Sequence, residues 1–271
     1  MLKFLKKSNT WAMSIITVVF TFIPETVFGK YRLLLNASDE ANIILTRVLT
    51  FITVLGVSIL FNTLYLCFRR SICIKGKNYS INIKYGNLIK FRGCKKVISF
   101  DECFTTTIGD SPSDINPDSI CGQYLEENPI QDMQTLINNA QLKPAKGKSK
   151  YKNKERYESG KLVPNGDYLL MAFAKLNKEG LGEFSRDEFI DCLSMLWKEI
   201  NKYYGQKDVC IPILGSGVTR GEIAALTQQE LLDIIIVSYK LSAHKIKSPR
   251  QLHIVCKKCD DFSLNKIGQS I

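Results

Sequence analysis

Two long apolar runs open the chain, and a short polar segment separates them. Residues 11–28 form the first run, after a start that contains three lysines, and residues 43–68 form the second, which ends at Arg69 and Arg70. About 20 apolar residues are enough for a helix to cross a bilayer, and basic residues collect on the cytoplasmic side. The pattern predicts a transmembrane hairpin over residues 1–70, with both ends in the cytoplasm.

The first run has a second interpretation, a cleaved signal peptide with the small residue Gly29 at the cleavage site. In that case the second run still anchors the chain, and the arginines after it still place the remainder in the cytoplasm. Burial of both runs as core helices of a soluble domain is disfavoured, because they are long and contain very few polar residues. Arg47, Asn62 and Glu25 are exceptions, and we expect such side chains to find partners when several hairpins pack together.

From residue 71 onward the pattern changes to short strands and amphipathic helices. Alternating or apolar runs predict strands at 72–75, 79–84, 85–91, 97–100, 167–176, 209–214 and 252–256. Helical spacing predicts helices at 130–142, 185–204 and 227–244, the last two starting with the capping boxes Ser185/Glu188 and Thr227/Glu230. Strands that alternate with helices predict a layered α/β domain with helices on both faces of the sheet.

A glycine-rich loop follows the strand at 209–214. Gly215, Gly217 and Gly221 lie in it, and a helix begins soon afterwards. A strand, a glycine loop and a helix in this order are typical of phosphate binding, because glycines let backbone N–H groups approach an anion and the helix N-terminus favours negative charge. The spacing matches neither a Walker A loop nor a dinucleotide fingerprint, and an ordinary turn that needs glycine remains the alternative.

A long polar passage, residues 101–129, follows the strand at 97–100. Loops of that length in compact domains are usually functional or disordered. Apolar residues within it, including Phe104, Ile115 and Tyr124, indicate that it is ordered. Since ligands of open α/β sheets bind beyond the carboxyl ends of strands, we expect this passage and the glycine loop to converge on one ligand.

The net charge of +11 is unevenly distributed. Residues 143–161 hold eight Lys and Arg side chains against Glu155 and Glu158, which predicts a mobile basic surface insert with little share in the core. The odd count of nine cysteines suits a reduced cytosolic domain. Cys256 and Cys259 form a lone CxxC motif, so ordinary thiols are favoured over a zinc site.

Four stretches, in this order, resemble the divergent, membrane-anchored macro domains that act as effectors of Thoeris anti-phage defence. They are residues 99–110, 116–124, 168–176 and 211–217. The resemblance implies a macro-like three-layer α/β/α domain with a mixed sheet over residues 71–271. Together with the hairpin, it implies a protein of the inner cell membrane whose N-terminus and macro domain are cytoplasmic.

The resemblance also implies a function. The macro domain would bind an ADP-ribose derivative, such as histidine–ADP-ribose, that a TIR-domain enzyme makes from NAD during infection. Binding would cause homo-oligomerisation and disrupt the lipid bilayer, which leads to abortive infection. It implies no cofactor besides this ligand, no metal, no catalytic residue and no nucleic acid partner.

Two groups of site residues follow from the motifs that match the family. The loop that would wrap the diphosphate is Leu214, Gly215, Ser216, Gly217, Val218, Thr219 and Arg220. The first ligand loop is Thr105, Thr106, Thr107 and Ile108, with Ser119, Gly122 and Gln123 just beyond it.

The chain departs from the hydrolytic macro domains in the stretch after Phe100, where their Asn-Ala-Ala-Asn segment and glycine triplet are missing. This favours a sensor over the alternative of a membrane-anchored ADP-ribosyl hydrolase. Asp101, Glu102 and Asp110 beside the first loop are expected to be solvated or to form turns, although one of them is a candidate for binding an adenine amine or a ribose hydroxyl. A membrane-tethered interaction module that uses the basic insert is the third hypothesis.

Overall fold

A computed structural model describes residues 2–30, 38–111, 113–217, 220–259 and 262–267. The chain divides into two compact units, Met1–Arg69 and Arg70–Ile271. Each unit has its own set of internal contacts.

The N-terminal unit contains three helices, α1 (Leu2–Phe22), α2 (Glu25–Gly29) and α3 (Asp39–Phe68). The expectation of one continuous helix over residues 11–28 is wrong, because the helix is interrupted at Pro24, which precedes α2. Proline has no N–H to donate, and its ring collides with the preceding helical turn.

Among the described residues, α3 is the only helix long and apolar enough to cross a membrane, with a mean hydropathy of 2.3 in its apolar window. Its first turn is capped by the Ser38 hydroxyl, which accepts a hydrogen bond from Ala41 N at 3.3 Å. The apolar part of α1, Ser8–Phe22, is shorter.

Helices α1 and α3 pack antiparallel through polar as well as apolar contacts. Asn62 Nδ2 donates to Ser8 Oγ at 2.9 Å. Arg47 contacts Glu25 Oε1 at 2.8 Å, and its guanidinium lies 5.5 Å from the centre of the Phe28 ring. Packing of several hairpins, which the sequence analysis invoked to give these polar side chains partners, is therefore not required, since each has a partner inside this unit.

Nine strands form one mixed sheet in the described part of the second unit. They are β1 (Ser71–Lys75), β2 (Ser80–Tyr85), β3 (Cys94–Asp101), β4 (Leu162–Asn165), β5 (Tyr168–Leu176), β6 (Gly182–Phe184), β7 (Asp208–Pro212), β8 (Arg220–Gly221) and β9 (Leu252–Cys256). The strand order is β1-β2-β9-β7-β3-β5-β6-β8, and β4 pairs with β5. The centre, from β2 to β5, is parallel, whereas β1, β4 and β6 pair antiparallel with their neighbours.

Four helices flank this sheet, α4 (Ile120–Glu127), α5 (Met133–Asn139), α6 (Arg186–Tyr203) and α7 (Gln228–Leu241). Both predicted capping boxes are present, at the starts of α6 and α7. Buried side chains of α6 and α7 pack on one face of the sheet, and those of α4 and α5 pack on the other. The expected layered α/β fold with a mixed sheet and helices on both faces is therefore confirmed.

Local structure differs from the sequence prediction in two places. No strand forms over residues 86–91, where the Asn87 side chain instead accepts a hydrogen bond from Ile89 N at 2.9 Å and closes a turn. Within the polar passage, α4 forms after the N-cap Ser119. Its short length and mixed composition hide it from a search for apolar periodicity.

The basic insert at 143–161 contributes to the interior, contrary to the sequence prediction. Tyr157 is 3% exposed and packs in the same cluster as Phe104, with the two ring centres 5.5 Å apart. Its backbone N–H also donates to the carbonyl of Glu102 at 2.7 Å. The insert contains two buried tyrosines, Tyr151 and Tyr157, among many lysines. Their spacing matches neither a helix nor a strand, so the hydrophobic pattern did not predict their burial.

Candidate functional site

A cleft of about 520 Å³ opens at the carboxyl ends of the central parallel strands. Four of these five strands reach it, through Asp101 of β3, Ala174 of β5, Pro212 of β7 and Val255 of β9. In open α/β sheets this edge is where ligands bind, because the strand ends and the loops after them meet there.

The pairing of β3 with β7 explains why the cleft lies at this point. The two strands are hydrogen-bonded only over their first residues, from Cys94 opposite Asp208 to Lys96 opposite Cys210. Beyond that register the ladder ends, and the regular pairing of β3 with β5 also shifts between Phe100 and Asp101. The strand ends therefore separate and leave room between them.

The glycine loop after β7 lines one side of this cleft, through Leu214, Gly215, Ser216 and Gly217. Gly215 has a φ of 83°, in the region that favours glycine, and a Cβ there would lie 3.2 Å from Ile223 Cδ1. At Gly217 a Cβ would lie more than 4 Å from every atom considered in the described part of the chain. Gly215 thus serves the turn itself, whereas Gly217 leaves open space in front of the backbone.

The polar passage after β3 lines the opposite side. Ser119 Oγ accepts from Gly122 N at 2.9 Å and donates to Asn116 O at 2.6 Å, which ties the start of α4 to the preceding turn. A Cβ at Gly122 would lie only 2.3 Å from Asn116 O, so this glycine is needed for close packing. Gln123 Nε2 donates to the carbonyl of Asp118 at 3.0 Å and reinforces the same turn.

The structure brings together part of the predicted site. Ser119, Leu214, Gly215, Ser216 and Gly217 line the cleft. Val218 and Thr219 lie outside the described residues. The remaining predicted residues do not line the cleft in the part of the chain that the structure describes: Thr105, Thr106, Thr107, Ile108, Gly122, Gln123 and Arg220.

Several cleft residues escaped the sequence analysis, among them Ser99, Lys257 and Gln228. Lys257 follows β9, and Gln228 is the first residue of α7. The rule that ligands gather beyond the carboxyl ends of parallel strands would have indicated Lys257, once β9 was placed beside β7. The position of β9 beside β7 depends on the order of strands in the sheet, and local sequence patterns do not predict that order.

The charged side chains of the cleft are mostly acidic. Asp101, Asp110 and Asp114 line it together with Lys257. Burial raises the pKa of the Asp101 carboxyl, although hydrogen bonds from Thr105 and Cys103 oppose this shift. Asp101 Oδ1 accepts from Cys103 N at 2.7 Å and from Thr105 N at 3.2 Å, so it holds the turn after β3.

Glu102, the neighbour of Asp101, has a different role. It is 2% exposed, and its carboxylate accepts from Leu176 N at 3.2 Å and from Arg156 Nη1 at 3.4 Å. A buried carboxylate needs such partners, because an unpaired charge in the interior is costly. This residue therefore holds the basic insert against the sheet and is not among the cleft residues.

The cleft offers few groups suited to nucleophilic or acid–base chemistry. Cys121 lines it, but burial raises the pKa of its thiol, so the thiol is protonated at neutral pH. His253 lies elsewhere and contacts Asp208 Oδ2 through Nε2 at 2.9 Å. Within the described residues, no group of three or more His, Cys, Asp or Glu side chains is arranged to hold a metal ion.

A larger cleft of about 1050 Å³ lies between the basic insert and α6. Several of its charges are already paired, as in Lys161 with Glu199 at 3.2 Å and Lys175 with Glu188 at 2.6 Å. Its other lysines are on the exposed surface, and among the described residues the central parallel strands contribute to it only through Lys175 of β5. The cleft beyond the central strands is therefore the better candidate for a specific ligand site.

Comparison with solved structures identifies the fold as that of a macro domain. A macrodomain mutant from Oceanobacillus iheyensis superposes with a TM-score of 0.50 at 11% identity, covering 75% of this chain and all of that one. Another structure of that macrodomain, a mutant with ADPR, has a TM-score of 0.47 at 10% identity and covers 70% of this chain and 92% of that one.

Sequence comparison narrows this class to one family. The chain belongs to the family described as Thoeris protein ThsA, macro domain, whose model matches residues 81–257. The curated Thoeris protein ThsA of Bacillus amyloliquefaciens (strain Y2) is 27% identical over 269 residues, which cover 96% of this chain and 88% of that protein. The resemblance seen in the sequence is thereby confirmed.

Asp101 provides a test of the turn that shapes this cleft. We expect Asp101→Ala to lower stability by about 1–3 kcal/mol, because two backbone N–H groups lose their acceptor. Asp101→Asn keeps an acceptor oxygen and removes a charge that partial burial disfavours, so at pH 7 it should be at least as stable as the wild type. Thermal unfolding of the full-length protein measures both effects.

The pH dependence serves as the control. A carboxyl whose pKa is raised on folding favours the folded state most at low pH and loses this contribution as the pH rises through the folded pKa. The stability difference between Asp101→Asn and the wild type should therefore shrink toward pH 4. An asparagine variant that is as unstable as the alanine variant at pH 7 would contradict the role given to Asp101.

Proposed function

We propose that this protein is a membrane-anchored sensor and effector of anti-phage defence that binds an ADP-ribose-derived nucleotide signal in its macro-domain cleft. The observation that carries the proposal is the loop from Gly215 to Gly217 at the carboxyl end of β7, facing the passage after β3 across one cleft. Membership of the ThsA macro-domain family supports the same conclusion. In this proposal, the signal comes from a TIR-domain enzyme and is an amino-acid conjugate such as histidine–ADP-ribose.

The distribution of charge in the cleft indicates how such a ligand is held. Three acidic side chains and Lys257 line it, so side-chain charge alone does not attract a diphosphate. Backbone N–H groups of the glycine loop supply the donors, since glycine lets them approach closely. The carboxylates suit the neutral, donor-rich parts of the ligand, such as ribose hydroxyls and the adenine amine.

We propose binding without turnover. Hydrolysis would require a general base or nucleophile within hydrogen-bond reach of the ligand. The Cys121 thiol is protonated at neutral pH, and Asp101 already accepts two backbone hydrogen bonds. These observations favour a sensor over an anchored ADP-ribosyl hydrolase.

Gly217 gives the sharpest test of this site. Because a Cβ at Gly217 meets none of the described residues within 4 Å, Gly217→Val should fold normally. Its side chain should occupy the space in front of the loop and weaken ADP-ribose binding at least tenfold, since each lost hydrogen bond to a charged group costs about 1.5–3 kcal/mol. Calorimetry of the full-length protein with ADP-ribose measures the loss, and unchanged thermal unfolding shows that the fold is intact.

Two controls accompany this measurement. Gly217→Ala should reduce affinity less than valine does, while Gly215→Ala should lower stability because of its positive φ and the close Ile223 side chain. Wild-type affinity in Gly217→Val would refute the assignment of this loop. Chromatography of the ligand after incubation distinguishes sensing from turnover, and release of ribose products by the wild type would support the hydrolase alternative.

We further propose that α1 and α3 both cross the membrane, with the N-terminus and the macro domain in the cytoplasm. The support is the apolar composition of both helices and the basic residues near the outer ends of the pair. Lys3, Lys6 and Lys7 lie at the start of α1, and Arg69 and Arg70 follow α3. Large apolar side chains of α1 and α3 are exposed in this unit, as expected for contact with lipid.

Reporter fusions test this topology. A reporter at the N-terminus and another at the C-terminus should both behave as cytoplasmic, whereas one inserted after Lys30 should behave as external. If α3 alone crosses the membrane, the N-terminal reporter becomes external while the other two remain as stated. That result would contradict the two-span arrangement.

Finally, we propose that ligand binding makes macro domains associate and brings the N-terminal helices together into an assembly that disrupts the membrane. The partners of Arg47 and Asn62 within one chain remove one argument for such an assembly. The exposed apolar side chains of the two helices remain in its favour, since they can pack on copies of themselves.

Dye leakage from liposomes that carry the full-length protein measures this effect. ADP-ribose should increase both leakage and oligomer size for the wild type, and it should change neither for Gly217→Val, the matched variant that does not bind. Tight binding of ADP-ribose with no change in leakage or oligomer size would leave the N-terminal helices as an anchor only.

A further inference from the structure

The tip of the basic insert, residues 149–154, contacts residues that line the cleft at the carboxyl ends of the central strands. A Cβ at Gly180 would lie 2.7 Å from Ser113 Cβ and 3.0 Å from Tyr151 Cε2, so these three residues are closely packed. Gly180 and Ser113 line the cleft, and Tyr151 belongs to the tip. The insert therefore reaches the rim of the cleft beside the turn between β5 and β6.

The backbone of the tip forms a closed turn. Ser149 N donates to the carbonyl of Lys154 at 3.0 Å, and Lys154 N donates to the carbonyl of Tyr151 at 3.2 Å. Ser149 is 2% exposed, and its hydroxyl accepts from Tyr151 N at 3.2 Å. These hydrogen bonds fix the path of the chain across the tip, so its side chains start from a defined place beside the cleft.

Two exposed lysine side chains of the tip gather at Tyr151. Lys152 Nζ lies 4.9 Å and Lys154 Nζ lies 5.3 Å from the centre of the tyrosine ring, a distance at which an aromatic ring attracts a cation. A hydrogen bond with Tyr151 raises the pKa of the Lys152 ammonium, and the carboxylate of Asp114 adds to this rise. Burial raises the pKa of Asp101, and Lys154 is among the groups that oppose this rise. Both lysines therefore lie close enough to sense aspartates that line the cleft.

The side chains that line the cleft supply too little positive charge for an anionic ligand. Three aspartates and one lysine are the charged residues among its described lining. An anion that enters the cleft thus meets a net negative field from the side chains, which opposes binding. Exposed cations beside a cleft offset such a field and raise the local concentration of anions, and salt weakens this effect.

We propose that Lys152 and Lys154 form a cationic rim that gives this acidic cleft its preference for an anionic ligand. The inference rests on the proposed function of the cleft, the binding of an ADP-ribose-type diphosphate. Tyr151 is the positioning residue of the rim, because it packs on Gly180 and lies against both ammonium groups. The rim contributes through charge, so arginine can replace either lysine.

The same insert offers a matched control. Lys143 and Lys146 line the larger cleft beside α6, and they are not among the described residues that line the proposed ligand site. Substitution of either lysine pair by glutamine removes two positive charges from the insert. The two double variants therefore have the same net charge and differ in where the charge was removed.

The experiment measures the affinity of the full-length protein for ADP-ribose by calorimetry at two salt concentrations. At about 0.1 M salt, where charges act over about 10 Å, Lys152→Gln/Lys154→Gln should weaken binding about fivefold. At about 1 M salt, where this distance falls to about 3 Å, the double variant should bind as the wild type does. Lys143→Gln/Lys146→Gln should stay within about twofold of the wild type at either concentration. Lys152→Arg/Lys154→Arg should keep wild-type affinity.

The outcomes separate this inference from the function on which it rests. Failure of the wild type to bind ADP-ribose would overturn both. Equal binding by the wild type and Lys152→Gln/Lys154→Gln at the lower salt concentration would overturn the cationic rim alone. An equal loss in Lys143→Gln/Lys146→Gln would assign the effect to net charge and also overturn the rim. A loss that persists at the higher salt concentration or in the arginine variant would assign the lysines to the shape of the tip, with the same consequence.

Discussion

The partial pairing of β3 with β7 is the constraint on which the rest of the macro domain depends. Three residues of each strand are in register, from Cys94 opposite Asp208 to Lys96 opposite Cys210, and then the strands part. Since both strands run in the same direction, the loops that follow them emerge at the same edge of the sheet. The polar passage and the glycine loop, more than 80 positions apart in the sequence, therefore enclose one cleft.

Within that cleft the backbone and the side chains have separate tasks. The backbone of the glycine loop offers donors next to the N-terminus of a long helix, which favours an anion. The side chains are dominated by Asp101, Asp110 and Asp114, which favour hydroxyl and amine donors. An uneven arrangement of this kind suits a molecule with a charged centre and neutral polar ends, as a nucleoside diphosphate sugar has.

The N-terminal unit shows how polar residues can be tolerated in apolar helices. Arg47 is paired with Glu25 and lies over aromatic rings, and Asn62 donates to Ser8. Polar and ionisable side chains within membrane helices usually pair with one another in this way. The helix break at Pro24 contributes to this arrangement, because Glu25 begins the short helix α2 that follows it.

Local sequence determined the elements whose causes lie within a few residues. The capping boxes at Ser185 and Thr227, the strands at 168–176 and 252–256, and the glycine turn after β7 all depend on neighbours in the chain, so patterns predicted them. The family resemblance was likewise carried by short motifs. The helix break at Pro24 also has a local cause, the missing N–H and the ring of proline. The continuous apolar run around Pro24 nevertheless led to the prediction of one uninterrupted helix.

Only the tertiary structure decided which side chains share the cleft. Lys257, Gln228 and Ser99 meet there because β9 lies beside β7 and α7 packs against the glycine loop, and neither contact leaves a periodic trace in the sequence. The burial of Tyr157 and the inward turn of Glu102 depend in the same way on contacts between distant segments. Side-chain patterns report the face that a residue occupies on its own element, whereas a binding site depends on which elements become neighbours.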